Sequence, residues 1–145
     1  MHKLNNKGFT LIEILLVVTI ILILAAMVVP NLAGRGEQAR KATAKADIQA
    51  NISGALDLYE LDIGSYPTTG QGMNALLEKP SASPVPENWN GPYLKKKKIP
   101  VDPWGREYVY ASPGSHNTDD FDLSSLGKDG VESADDITNW LEGNE

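Results

Sequence analysis

Cysteine is absent from the 145 residues, and histidine occurs only at His2 and His116. The first absence excludes disulfides, zinc–thiolate centres and Cys nucleophiles, and the second leaves almost nothing for imidazole catalysis. The chain also lacks a G-x-x-x-x-G-K-[ST] phosphate loop and a G-x-S-x-G nucleophile elbow, so neither nucleotide hydrolysis nor serine-hydrolase chemistry is supported. An excess of positive charge is missing too: the net charge is -6, and no nucleic-acid partner is expected at that balance. No Lys or Arg stands between Lys7 and Arg35.

The length admits one small domain and an anchor. Composition is divided between two solvents. Residues 1–8 read MHKLNNKG, short and basic, and the 21 residues 9–29 that follow carry only Thr10, Glu13 and Thr19 as polar members. As a helix that run is about 31 Å long, enough for a bilayer core of about 30 Å. A secretory signal has a shorter apolar core and a small-residue cleavage site, whereas this run continues into Pro30 and polar sequence, as a retained anchor does. Lys3 and Lys7 immediately before the span favour a cytoplasmic N-terminus with the domain on the far side, against the opposing pull of Arg35, Arg40 and Lys41.

Glu13 is the anomaly, because an acid at the centre of a membrane helix costs about 2.5–3.5 kcal/mol, and less near its edge. Snorkelling to the interface is one account. The other is a cationic partner inside the bilayer, which a free α-amine on Phe9, made by cutting after Gly8, would supply. Phe9 and Glu13 lie four apart on one helical face, so the pair can form within a subunit or between neighbours.

The segment G-F-T-L-I-E, with Gly8, Phe9 and Glu13 in register before a long apolar run, resembles the class III signal of type IV pilins and pseudopilins. That resemblance implies removal of residues 1–8 by a prepilin peptidase, N-methylation of Phe9, and pairing of Glu13 with the terminal amine of a neighbouring subunit. His2 would then belong to the discarded leader.

Pro30, Gly34 and Gly36 predict a kink or a melted stretch over 30–36. Helical periodicity resumes over 37–61, with Ala44, Ile48, Ile52, Ala55, Leu56 and Tyr59 on one face as core, and Gly64 placed to end the helix in a left-handed residue. A loop with a short helix over 72–77 follows, broken up by Pro80, Pro84, Pro86 and Pro92, with Trp89 and Tyr93 as loop anchors. Lys95, Lys96, Lys97 and Lys98 read as a solvated turn, or as a contact for an acidic partner. Strand-like runs at 107–111 and 121–126 complete an expected α+β fold, one long N-terminal helix against a small antiparallel sheet.

Four further segments carry a second resemblance: YELDIGSYPTTGQGMNALLEKP at 59–80, VDPWG at 101–105, SPG at 112–114 and SLGKDG at 125–130. Together they resemble the major pseudopilin of type II secretion systems, the general secretion pathway protein G family. A type IV pilin-like fold is implied, with a leader (1–8), a transmembrane and polymerisation helix (9–29) and a periplasmic head (30–145). So is a structural role as a homopolymer: a helical filament, growing from the inner membrane into the periplasm, that helps drive folded proteins through an outer-membrane secretin. Minor pseudopilins and an inner-membrane assembly platform are the implied partners, with the assembly ATPase a separate protein.

A type IVa pilin and a minor pseudopilin are the neighbouring alternatives. The first commonly closes a C-terminal loop with two cysteines, and the second commonly lacks the acid at Glu13. A membrane-tethered hydrolase is the rival from another class, with His116, in a Ser/Asn/Asp loop, as its only candidate in the head.

Residues 119–145 hold nine acids and one base, against nine acids and ten bases in 31–118. Such a cluster is either a solvated tail or a cation site. It is not an EF-hand, since Val131 and Trp140 occupy the third and twelfth positions counted from Asp129. The family resemblance implies a structural Ca²⁺ in a loop spanning 126–136, held by side chains of Asp129, Ser133, Asp135 and Asp136 and by carbonyl oxygens of Leu126 and Val131. A bound cation would be the staple that absent cysteines cannot provide.

Overall fold

Residues rich in Leu, Ile, Val and Ala with no glycine before Gly34 propagate one long helix, α1 (Leu11–Ala46, 36 residues). The computed structural model describes residues 8–140, and of residues 28–33 the backbone but not the side chains. Residues 1–7 of the expected leader (1–8) and the last five residues lie outside that description. The chain divides into two compact units, one ending at Gln38 and one beginning at Ala39.

In the first unit every side chain from residue 8 to residue 27 is exposed, including Phe9 at 85% and Leu11 at 80%. Among the described residues no helix is long and apolar enough to cross a membrane. The expected span of 9–29 extends past both ends of the described helical apolar stretch, which starts at Leu11 and whose side chains are described to Met27. Of the expected kink or melted stretch at 30–36, the melted alternative is corrected: α1 is helical throughout, Pro30 included. A proline removes one intrahelical hydrogen bond, and the turns on either side can carry the helix across it.

The second unit is built on the continuation of this helix. A single π-helical segment, Asp47–Ile52, joins α1 to α2 (Ser53–Ile63). The sequence pattern explains the wider turn. Ala44, Ile48, Ile52 and Leu56, all fully buried, recur at strict four-residue steps, and in a 3.6-residue helix each such step rotates by about 40° away from the core. Widening one turn returns the row to one face, and the Ser53 hydroxyl takes the displaced Ile48 carbonyl at 2.5 Å. Gly64, at φ 88°, caps α2 as expected, its N–H donating to the Glu60 carbonyl.

The helical face Ile48, Ile52, Ala55, Leu56 and Tyr59 packs into a core with Met73, Ala75 and Leu76 from a short 3₁₀ turn (Met73–Leu76), and with Leu94, Tyr108, Phe121 and Leu123. Trp89 and Tyr93 act as loop anchors. Trp89 Nε1 donates to the Ala75 carbonyl at 2.8 Å, and the Tyr93 hydroxyl donates to Asp62 at 2.8 Å. The four lysines at 95–98 lie on an exposed turn.

Three antiparallel strands form the sheet in the order β1 (Val109–Ala111), β2 (Asp122–Ser125), β3 (Ile137–Thr138). Tyr110 faces Leu123 across the first pair and Ser125 faces Ile137 across the second. All four residues of central β2 are buried. The third strand was not expected from the sequence; two residues in an acidic stretch carry no alternation to read. Asn139 extends its hold, its Oδ1 accepting the Leu123 N–H and its Nδ2 donating to the Phe121 carbonyl, each at 2.8 Å.

Candidate functional site

Two places hold the residues singled out by the sequence, one in each unit. In the first, Gly8 and Phe9 are exposed and precede the first turn of α1. Thr10 and Glu13 form a reciprocal cap there: the Thr10 N–H and hydroxyl donate to Glu13 Oε2 at 2.7 and 2.9 Å, and the Glu13 N–H donates back to Thr10 Oγ1 at 3.3 Å. This is the T-x-x-E capping box, which satisfies donors that the helix leaves orphaned. The T-x-x-E signal stands in the sequence, but the readings of Glu13 as a snorkelling acid or as a partner for a cation pass over it.

In the second unit, the turn between β2 and β3 gathers acids. Gly127 and Gly130 adopt φ 61° and 73°, left-handed values that glycine takes without strain and that fold the chain back on itself. The Gly130 N–H donates to the Leu126 carbonyl at 3.1 Å, closing the first bend. One carboxylate oxygen from each of Asp129, Asp135 and Asp136 lies within 4.8 Å of the others. The Ser133 hydroxyl joins them, donating to Asp135 Oδ1 at 2.5 Å with Asp129 Oδ2 at 3.4 Å. Val131 is on the exposed side of the turn, its N–H donating to Asp129 Oδ1 at 3.2 Å.

Asp136 is the informative member. Burial pushes its carboxyl pKa up, the Ser133 N–H opposes that, and the charges of Asp129, Asp135 and Glu132 push it further up. Its Oδ1 is shielded from solvent and makes no hydrogen bond among the described residues. A buried carboxylate oxygen without a donor, on a side chain that meets two further carboxylates, suits a hard cation with oxygen ligands.

Two residues that sequence reasoning did not select hold this turn from behind. Asp102, buried in the VDPWG loop, accepts the N–H groups of Trp104 and Arg106 on Oδ1 at 3.0 and 2.8 Å, and the Ser125 hydroxyl on Oδ2 at 2.7 Å. Arg106 Nη1 and Nη2 donate to the carbonyls of Gly127 and Lys128 at 2.5 and 3.1 Å. Contacts across more than twenty residues leave no local mark in a sequence, although the VDPWG signature pointed to the loop.

His116 sits apart from the acidic turn. Its Nδ1 lies 3.1 Å from Asp122 Oδ2, and its ring stacks on Trp140 with centroids 4.2 Å apart and planes 4° from parallel. Asp122 is buried, which raises its carboxyl pKa, but the N–H groups of His116, Asn117 and Ser115 and the imidazole outweigh that and hold it below the usual value. The arrangement anchors Trp140, and with it the segment after β3, to the loop before β2.

Residues 31–140 match the family model of the type II secretion system (T2SS) protein G, and residues 3–29 match the prokaryotic N-terminal methylation motif. The type II secretion system core protein G of Pseudomonas aeruginosa is 51% identical over 145 residues, covering 97% of this chain and 99% of that protein. The core protein G of Escherichia coli is 48% identical over 138 residues, covering 94% and 92%. Among solved structures, the major pseudopilin from the type 2 secretion system of enterohaemorrhagic Escherichia coli superposes with a TM-score of 0.67 at 40% identity, over 79% of this chain and 94% of that one.

Proposed function

Because the chain belongs to the protein G family of type II secretion systems, the major pseudopilins, we propose that it works without catalysis, as a subunit that polymerises through its N-terminal helix. The observation that carries this is the exposure of every side chain from residue 8 to residue 27, Leu11 at 80% and Met27 at 69% among them. A helix apolar on all sides needs a non-aqueous surround, which lipid supplies before assembly and neighbouring helices supply after it. The subunit is accordingly held in the inner membrane with its head in the periplasm, and it joins a periplasmic filament together with minor pseudopilins, an assembly platform and the outer-membrane secretin.

Processing by a prepilin peptidase between Gly8 and Phe9 would leave a terminal amine one helical turn from Glu13. Phe9 would be N-methylated, and Glu13 would exchange its local cap with Thr10 for the amine of the next subunit. Charge neutralisation between subunits then favours leaving the membrane only into a filament. Glu13→Ala tests this. The variant is expected to accumulate in the inner membrane and to form few filaments when filament yield is scored by electron microscopy of the periplasmic contents released by osmotic shock. A normal yield refutes the pairing.

The turn at 126–136 is proposed to hold a structural Ca²⁺. Asp129, Ser133, Asp135 and Asp136 would contribute side-chain oxygens, and Leu126 and Val131 their carbonyls. The cation would neutralise the clustered carboxylates and give the unpaired Asp136 Oδ1 a partner.

A further inference from the structure

Arg106 is outside the ligand set just proposed, yet it is built into the loop. One guanidinium engages two consecutive carbonyls, those of Gly127 and Lys128, at 2.5 and 3.1 Å. It also approaches Gly130 so closely that a Cβ there would meet its Cζ, Nε and Nη2 at 2.6–2.8 Å. The arginine is fixed at its own end, because buried Asp102 takes the Arg106 N–H at 2.8 Å and the Ser125 hydroxyl, just before the turn, at 2.7 Å. Two carbonyls that each accept a guanidinium N–H are held in fixed orientations. The Leu126 carbonyl accepts the Gly130 N–H at 3.1 Å, and its second lone pair can serve a further partner.

Charge argues the opposite way. Arginine is a permanent cation, and a fixed positive charge beside a cation site weakens binding. Resting on the calcium reading above, we propose that Arg106 is a positioning residue: its fork holds the Gly127 and Lys128 carbonyls and presets the turn for a hard divalent cation, and this shaping outweighs the repulsion of its charge.

The two effects have opposite signs, which makes them separable. Calcium chloride is titrated by isothermal calorimetry into the full-length chain in detergent micelles, as wild type, Arg106→Met and Arg106→Lys. Losing a partner that orients metal ligands from outside costs roughly 10–100-fold in affinity, so Kd is expected to rise by about tenfold or more in both variants, lysine keeping the charge but not the fork. Tighter binding in Arg106→Met with unchanged binding in Arg106→Lys shows a purely electrostatic residue and overturns the proposal. Should Arg106→Met fail to fold, Arg106→Lys alone decides, since unchanged affinity there refutes the fork. A wild-type chain that takes up no calcium overturns the calcium reading and this proposal together; calcium binding unaltered by either substitution overturns this proposal alone.

Discussion

If the acidic turn holds calcium as proposed, removing it is the perturbation with the clearest expected size. Three carboxylate oxygens within 4.8 Å repel by about 0.9 kcal/mol per pair at the dielectric constant of water and by about 3.5 kcal/mol per pair at an effective value of 20. Asp129 and Asp135 are exposed and Asp136 half-buried, so the lower end governs and the cluster opposes folding by a few kcal/mol. Calcium at a hundred times its Kd would contribute about 2.7 kcal/mol to the native state, and at about 4 °C per kcal/mol for a domain of this size that is a melting temperature higher by about 10 °C. The assay is thermal unfolding of the fragment 37–145 by circular dichroism at pH 7, in calcium and in EGTA. The acid side supplies an internal check. The Asp136 carboxyl is raised in the folded chain, so between its unfolded value, about 3.9, and that raised value the native state holds more protons. Stability in EGTA therefore falls as pH rises through this window and returns as pH falls. The calcium increment is expected to shrink on acidification, where the proton competes for the same oxygens. Identical melts in calcium and EGTA at pH 7 would refute the structural-cation argument.

Two further outcomes are expected. Asp122→Asn removes a carboxylate that accepts three backbone N–H groups at 2.7–3.0 Å; hydrogen bonds to a charged group are worth roughly 1.5–3 kcal/mol, and a loss of about that size should appear in urea unfolding at pH 7. Because the Asp122 pKa is depressed on folding, its contribution is present above the unfolded value and is lost as pH falls through the folded one, so wild type and variant should converge in acid; a pH-independent difference would contradict the assignment. Mass spectrometry of the chain from membranes should find a mature start at Phe9 carrying one added methyl group, and an intact Met1 would count against processing.

Periodic features were legible before the structure. Burial of Ala44, Ile48, Ile52, Ala55, Leu56 and Tyr59 follows from helical spacing, and Gly64 ends α2 where a left-handed residue was needed. The acids of the turn are close in sequence, so their meeting within 4.8 Å needed only a tight bend. What escaped was non-local or exceptional. The π-helical segment at Asp47–Ile52 answers to packing of a whole row and not to any single residue. The brace from Asp102 and Arg106 reaches the turn across 21 or more residues. At the other end Thr10 and Glu13 form a capping box whose T-x-x-E signal coincides with an acid set in an apolar run.

The brevity of β3 bears on how subunits avoid one another. Two residues, paired through Ser124–Thr138 and Ser125–Ile137 and followed by Asn139 on Leu123, cover one side of β2, and the acidic turn is the tether that delivers them there. With that tether slack, β2 would offer unpaired N–H and C=O groups along a buried, adhesive strand, a template on which a foreign strand can be added. The turn thus guards a sheet edge. If subunits polymerise through their N-terminal helices as proposed, a covered sheet edge would keep their strands out of that association.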